Sequence, residues 1–268
     1  LELQTTTQTI LKNVNFYLDR KEMIGIVGKN GAGKSTLCEL LAGIKAPTEG
    51  SVFLNGQDIF SDNTEENIHQ LIAMVFQNID EQFIGKTCRE DALLYLSNFG
   101  FSNIEIEEKI YRTASLLGIA ERLDQPLNEL SGGQKQLLAI TEVLAAEPEV
   151  LILDEPTAQL DEINEQMVLQ QLQNIVQDKK VSIIIVSHKI NELMLTDRIL
   201  PLENGYLQES YPTLEFLTDD QLLEKHDMEV PTVVALTKQL RDKGFFVDGI
   251  KSLSHSAFVK KVKEVFEN

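Results

Sequence analysis

Residues 23–36 read MIGIVGKNGAGKST, and the fold follows from how that stretch is read. MIGIV is a continuous apolar run that stops at Gly28, the pattern of a strand buried on both faces in a parallel sheet. GKNGAGKST then completes the spacing G-x-x-x-x-G-K-[ST] between a strand and a helix, the context in which this spacing makes a phosphate-binding loop. The glycines let successive backbone N–H groups turn inward around a triphosphate. The candidate ligands are Gly28, Asn30, Gly31, Ala32, Gly33, Lys34, Ser35 and Thr36. Among them Lys34 reaches the β- and γ-phosphates and the Ser35 hydroxyl coordinates Mg²⁺. The positive end of the following helix adds to the attraction.

Working outward, residues 13–18 (NVNFYL) alternate in polarity, while 52–56 (VFLNG), 72–76 (IAMVF), 150–153 (VLIL) and 182–186 (SIIIV) read as strands. Residues 90–117 are mostly helical in pattern with a break at 98–103, and 132–146 and 162–177 are further helices. Strands alternating with helices imply an α/β fold whose mostly parallel core sheet is covered on both faces. A helical subdomain is expected at about 78–146. The character changes past Gly205, where Thr218 with Gln221 makes a capping-box pattern before a short helix and Pro231 opens another that stops at Gly244. The expected division is therefore a nucleotide-binding domain at 1–205 and a small C-terminal domain at 206–268. In its last segment Phe258, Val262, Val265 and Phe266 share one helical face, which implies docking.

Asp154 and Glu155 close the strand at 150–153, which puts two carboxylates at the carboxyl edge of the sheet beside the phosphate loop. Asp154 is the expected Mg²⁺ partner, through water, and Glu155 the group that polarises the attacking water.

The 42 acidic and 24 basic residues give a net charge of −18, which repels a phosphate backbone and argues against nucleic acid as a ligand. No apolar run approaches the roughly 20 residues of a membrane-spanning helix. Cys38 and Cys88 are too few for a disulfide framework, so a reducing cytoplasm is expected. The chain opens at Leu1 without Met, so a piece of a longer polypeptide, such as one half of a tandem pair of like domains, is one expectation.

LSGGQ at 130–134, with GKNGAGKST and LILDEPTAQLD at 151–161, resembles the ABC ATPase family. The resemblance implies a P-loop NTPase that hydrolyses ATP with Mg²⁺. It also implies that Ser131, Gly132, Gly133 and Gln134 grip the nucleotide held by a second ATPase subunit or domain, in trans. By the same resemblance Gln77 touches Mg²⁺ and water and links the site to a membrane partner, His188 contacts the γ-phosphate, and Asp161 lies in the loop through which two subunits sense each other. Read alone, Asp161 is a helix N-cap. The remaining histidines, His69, His226 and His255, read as surface or satisfied core groups.

The string FQNIDEQFIG with TCREDA after it, and VPTVVALTKQLRDKGF near the end, resembles the energy-coupling-factor subgroup of importers. That implies a transmembrane coupling subunit and a substrate-binding membrane subunit as partners, a peripheral place on the cytoplasmic face of the membrane, and a metal ion or vitamin-like cargo. Two positions depart from the family pattern. The adenine-stacking aromatic is replaced by Gln and Thr at residues 4–7, which forfeits about 1–3 kcal/mol unless another residue substitutes, and Leu137 stands where an arginine is common. A rival is a DNA-repair or chromosome-organising ABC ATPase. Ser131 lies only 97 residues after Lys34, however, which leaves no room for a long coiled coil. A regulatory nucleotide sensor is disfavoured by the presence of Glu155.

Overall fold

The computed structural model describes residues 9–61, 68–178, 181–244, 258–260 and 262–263. β1 (Met23–Val27) leads through the phosphate loop into α1 (Lys34–Leu41). A small antiparallel hairpin, β2 (Phe53–Leu54) with β3 (Gln57–Asp58), is followed by the one-turn α2 (Ile68–Leu71) and β4 (Ile72–Val75). Next come α3 (Cys88–Ser97), α4 (Asn103–Leu116) and α5 (Gly132–Ala145), which pack on one another. The chain returns to the sheet with β5 (Val150–Asp154), α6 (Glu162–Asp178), β6 (Ser182–Val186), the one-turn α7 (Ile190–Leu193) and β7 (Arg198–Glu203). After β8 (Tyr206–Leu207) and β9 (Tyr211–Pro212) come α8 (Thr213–Thr218), α9 (Asp220–Lys225) and α10 (Thr232–Asp242).

The sheet order is β4-β5-β6-β1-β7-β8, with β9 also on β7; β4, β5, β6, β1 and β7 run parallel and only β8 and β9 are antiparallel. The central strands β1, β5 and β6 are apolar through their middles because both faces are buried. Leu151, Leu153, Ile183 and Ile185 face the cluster formed with the helices α3–α6, whereas Ile152, Ile184 and Val186 face the one that includes Leu37 and Cys38 of α1. This period of two is the strand geometry expected from the sequence.

Residues 13–18 are the exception. Val14, Phe16 and Leu18 do pack inward against the α1-side cluster, yet no strand is formed there. The alternation reports one buried face, but a strand also needs a ladder. The Tyr17 carbonyl is instead taken by the Arg198 guanidinium at 2.6 Å. The C-terminal cap also differs from the expected one. Asp219, not Thr218, caps α9, its Oδ1 accepting the N–H groups of Gln221 and Leu222 at 2.8 and 3.2 Å, while the Thr218 hydroxyl donates back to Leu214 O. A carboxylate is the stronger acceptor for orphan helix amides.

Gly205 sits in the turn joining β7 to β8, so the sheet continues across position 205, and β9 pairs back onto β7. Phe216, Leu217, Leu223, Met228 and Val233 belong to the same hydrophobic cluster as the sheet and α3–α6. Phe258 is buried in that cluster and Val262 packs against it, while Val265 and Phe266 lie outside the described residues. No described helix is long and apolar enough to cross a membrane.

Candidate functional site

The carboxyl ends of β1, β4, β5 and β6 meet in one place because these strands are parallel and adjacent. Each delivers the residue that follows it. From β1 comes the phosphate loop. Gly28 is required there because a Cβ would sit 2.2 Å from the Leu202 carbonyl oxygen. Gly33 caps α1 with a φ of 105°, in the left-handed region where only glycine is unstrained. Asn30 and Gly31 are exposed, Ala32 and Lys34 are buried, and Ser35 and Thr36 enter the first turn of α1.

Lys34 is folded into the loop. Its Nζ donates to the carbonyls of Gly28 at 2.6 Å and Lys29 at 3.3 Å, and lies 3.0 Å from His188 Nε2. A lysine can only donate, so His188 accepts on Nε2 and carries its proton on Nδ1. Burial lowers the Lys34 pKa, against the attraction of Glu155 and Asp154. His188 is lowered too, first by burial and then by the Lys34 charge.

From β5 come the two carboxylates. Asp154 is buried and accepts a hydrogen bond from Ser35; burial raises its pKa, with Glu155 adding to the rise and Ser35 and Lys34 opposing it. Glu155 has a φ of 49°, and its N–H donates to Val186 O at 2.8 Å, so the chain turns sharply at that residue. Gln77, two residues beyond the end of β4, donates from Nε2 to Glu155 Oε2 at 2.7 Å. The structure thus brings Lys34, Ser35, Gln77, Asp154, Glu155 and His188 into one cluster.

Ser131, Gly132, Gly133 and Gln134 form the start of α5. Ser131 and Gln134 make a reciprocal capping box, with Gln134 N donating to Ser131 Oγ at 3.3 Å and Ser131 N to Gln134 Oε1 at 3.0 Å. The Ser131 hydroxyl also donates to Asn164 Oδ1 at 3.0 Å. Asn164 is itself held by Asp161, whose Oδ1 accepts the Asn164 N–H at 2.9 Å as the N-cap of α6. Among the described residues no hydrogen bond joins Ser131–Gln134 to the Lys34–Glu155 cluster. Asn164 was not singled out from the sequence; the signal was its place three residues after the capping Asp161.

Of the other candidates, His69 is exposed, while His226 is 2% exposed, with its Nε2 3.3 Å from Glu203 Oε1. His255 and residues 4–7, where the stacking aromatic was sought, lie outside the described residues.

Residues 11–158 match the ABC transporter family. The energy-coupling factor transporter ATP-binding protein EcfA2 of Caldanaerobacter subterraneus subsp. tengcongensis is 35% identical, over 87% of this chain and 83% of that protein. The corresponding EcfA1 of Oceanobacillus iheyensis is 34% identical, over 94% and 90%. Among solved structures, cbiO1 from Clostridium perfringens, part of the ABC transporter complex cbiONQ, superposes with a TM-score of 0.72 at 29% identity, over 85% of this chain and 92% of that one. A dimeric ATP-binding cassette in a post-hydrolysis state with ADP and Pi gives 0.66 at 27% identity, over 76% and 90%. The chain belongs to the ABC transporter family and is an ATP-hydrolysing transporter subunit that resembles the ATP-binding proteins of energy-coupling factor transporters.

Proposed function

We propose that this subunit powers an importer of a metal ion or vitamin-like micronutrient, working as one of two ATPase units that close over two ATP molecules. The names of the relatives support an energy-coupling factor transporter, and the dimeric cassette supports the pairing. In this reading the chain lies peripherally at the cytoplasmic face of a membrane, held by a transmembrane coupling subunit near Gln77, with cargo bound by a further membrane subunit.

The observation that carries the reading is the Gln77–Glu155 hydrogen bond at 2.7 Å beside the Lys34–His188 contact at 3.0 Å. Glu155 takes the proton of the attacking water, and Gln77 fixes the carboxylate that receives it. Lys34 exchanges the Gly28 carbonyl for phosphate oxygens, and His188, freed from Lys34, turns to the γ-phosphate. Ser131 and Gly133 serve the nucleotide of the opposite unit through the N-terminus of α5.

Ser35, Asp154 and Gln77 are oxygen donors suited to Mg²⁺, and a cation held there would compensate the charge of the buried Asp154 carboxylate. When bound, Mg²⁺ neutralises charge developing on the β- and γ-phosphate oxygens.

Glu155→Gln keeps the shape of the side chain but cannot accept a proton. ATP binding should persist while turnover falls at least about 100-fold, and an ATP-bound dimer should accumulate in light scattering. Wild-type turnover in that variant would refute the assignment.

A further inference from the structure

A buried carboxylate ties together the two segments that carry Glu155 and His188. Glu192, in α7, is 0% exposed, and its Oε1 accepts both the N–H of Thr157, at 3.1 Å, and the Thr157 hydroxyl. Thr157 is equally buried and lies two residues after Glu155. Its carbonyl accepts from Lys189 Nζ at 2.8 Å. Lys189 directly follows His188, and its own N–H donates to Ser187 Oγ at 2.8 Å. Both backbone polar atoms of Thr157 are therefore held by side chains from the segment that begins at His188.

This arrangement is a poor way to gain stability. Glu192 is taken fully out of water for a few bonds only, those from Thr157 and from the Ser187 hydroxyl. Burial raises the pKa of the carboxyl, while Ser187, Thr157 and Lys189 pull it down. A leucine of similar volume would bury without that cost. What the carboxylate supplies instead is a directional link across 35 residues of sequence, from α7 to the turn after β5. The turn has little other freedom, because Glu155 already sits at a φ of 49°.

We propose that Glu192 is a positioning residue for ATP hydrolysis. By holding Thr157 it fixes the turn that carries Glu155 relative to the loop that carries His188. The inference rests on the roles proposed above for Glu155 and His188. A reacting group must be held to within about 0.5 Å of its productive place, and a link between the two segments lets a shift of one be felt by the other.

The test compares Glu192→Ala, Glu192→Gln and Thr157→Val with Glu155→Gln in the full-length chain, measuring kcat, the KM for ATP and thermal unfolding. Glu192→Ala should lower kcat at least about tenfold with KM within about threefold, since misplacement of about 1 Å costs up to about a hundredfold in rate without touching phosphate binding. Glu192→Gln keeps a carbonyl acceptor for Thr157 and should recover most of the loss. Thr157→Val removes the hydroxyl bond and leaves the Thr157 N–H on Glu192, so it should lower kcat several-fold, less than Glu192→Ala, and add little to that change.

If Glu192→Ala does not fold, Thr157→Val, which conserves volume, decides alone. Unchanged kcat in that variant overturns the proposal, and lowered kcat at unchanged KM supports it. Losses of kcat and nucleotide affinity in step with the folded fraction also overturn it, since they report stability only. Normal turnover in Glu192→Ala and Thr157→Val beside a dead Glu155→Gln removes Glu192 but leaves Glu155 in place. Normal turnover in Glu155→Gln instead removes the assignment on which the proposal stands.

Discussion

Glu142 is the least expected residue of α5, since it lies 3% exposed on a helix face otherwise filled by Leu138, Ala139 and Ala145. It is hydrogen-bonded to Asp91, and Cys88 Sγ donates to its Oε1 at 3.5 Å. Asp91 Oδ1 accepts the N–H of Ile84 at 2.7 Å and that of Gly85, so the backbone holds Asp91 beside Glu142. Burial, and then the Asp91 charge, raises the Glu142 pKa well above its ordinary 4.5. The folded state thus holds a proton that the unfolded chain releases. This stability is complete below pH 4.5 and is lost as pH rises through the folded value. Glu142→Gln needs no proton to donate to Asp91, so it should stabilise the protein by about 1 kcal/mol at pH 8, or about 2–4 °C in Tm, with little effect at pH 5. Parallel melting curves for the two proteins across that range would refute this. Leu137, where the family commonly has an arginine, is explained at the same scale. It is 2% exposed and packs in the main cluster, where an arginine side chain would be buried.

At the scale of elements, the contact between α5 and α6 explains Gly133 without any nucleotide. A Cβ there would lie 2.7 Å from Asn164 Cβ and Oδ1 and 2.9 Å from Met167 Cε, too close for any side chain. Gly133→Ala must push α6 away and break the Ser131–Asn164 hydrogen bond. Overpacking costs about 1–3 kcal/mol, against about 1 kcal/mol returned by the better helix propensity of alanine. The nucleotide-free protein should therefore be measurably less stable in urea and its ATP-dependent dimerisation weaker. Unchanged stability would leave only a role toward the partner's nucleotide. Packing between α5 and α6 is thus a duty that Gly133 performs within the single chain.

At the scale of the whole molecule, the C-terminal segment shares the core of the sheet. Phe216 is 0% exposed, with its ring 6.0 Å from Tyr211 and 5.6 Å from His226. The turn after α9 also reaches the phosphate loop through an Asp227–Lys29 ion pair at 2.9 Å, although both side chains are exposed and the pair adds little stability. Phe216→Ala should cost about 3–5 kcal/mol and lower the midpoint of one cooperative transition in calorimetry. A separate low-temperature peak, with the main transition unmoved, would instead support an independent domain beginning near residue 206.

The phosphate loop, the acid pair at the end of β5 and the serine cap of α5 were legible in the sequence because each depends on spacing along a few residues. Strands β1, β4, β5 and β6 were legible because burial on both faces leaves a run with no polar position, as in Ile183–Ile185, whereas β7, which holds Arg198, Pro201 and Glu203, was not read as a strand. At residues 13–18 the buried face was legible but the lack of a ladder was not, since alternation reports burial and says nothing about a pairing partner. Nor were the contacts that assemble the site. Gln77 meets Glu155 across 78 positions and Lys34 meets His188 across 154. Thr157, Lys189 and Glu192 carry no motif of their own, and their meeting follows from the order in which parallel strands lie side by side. Local spacing encodes local geometry. Groups this far apart along the chain meet only when the packed sheet brings strand ends together, and no period in the sequence records that.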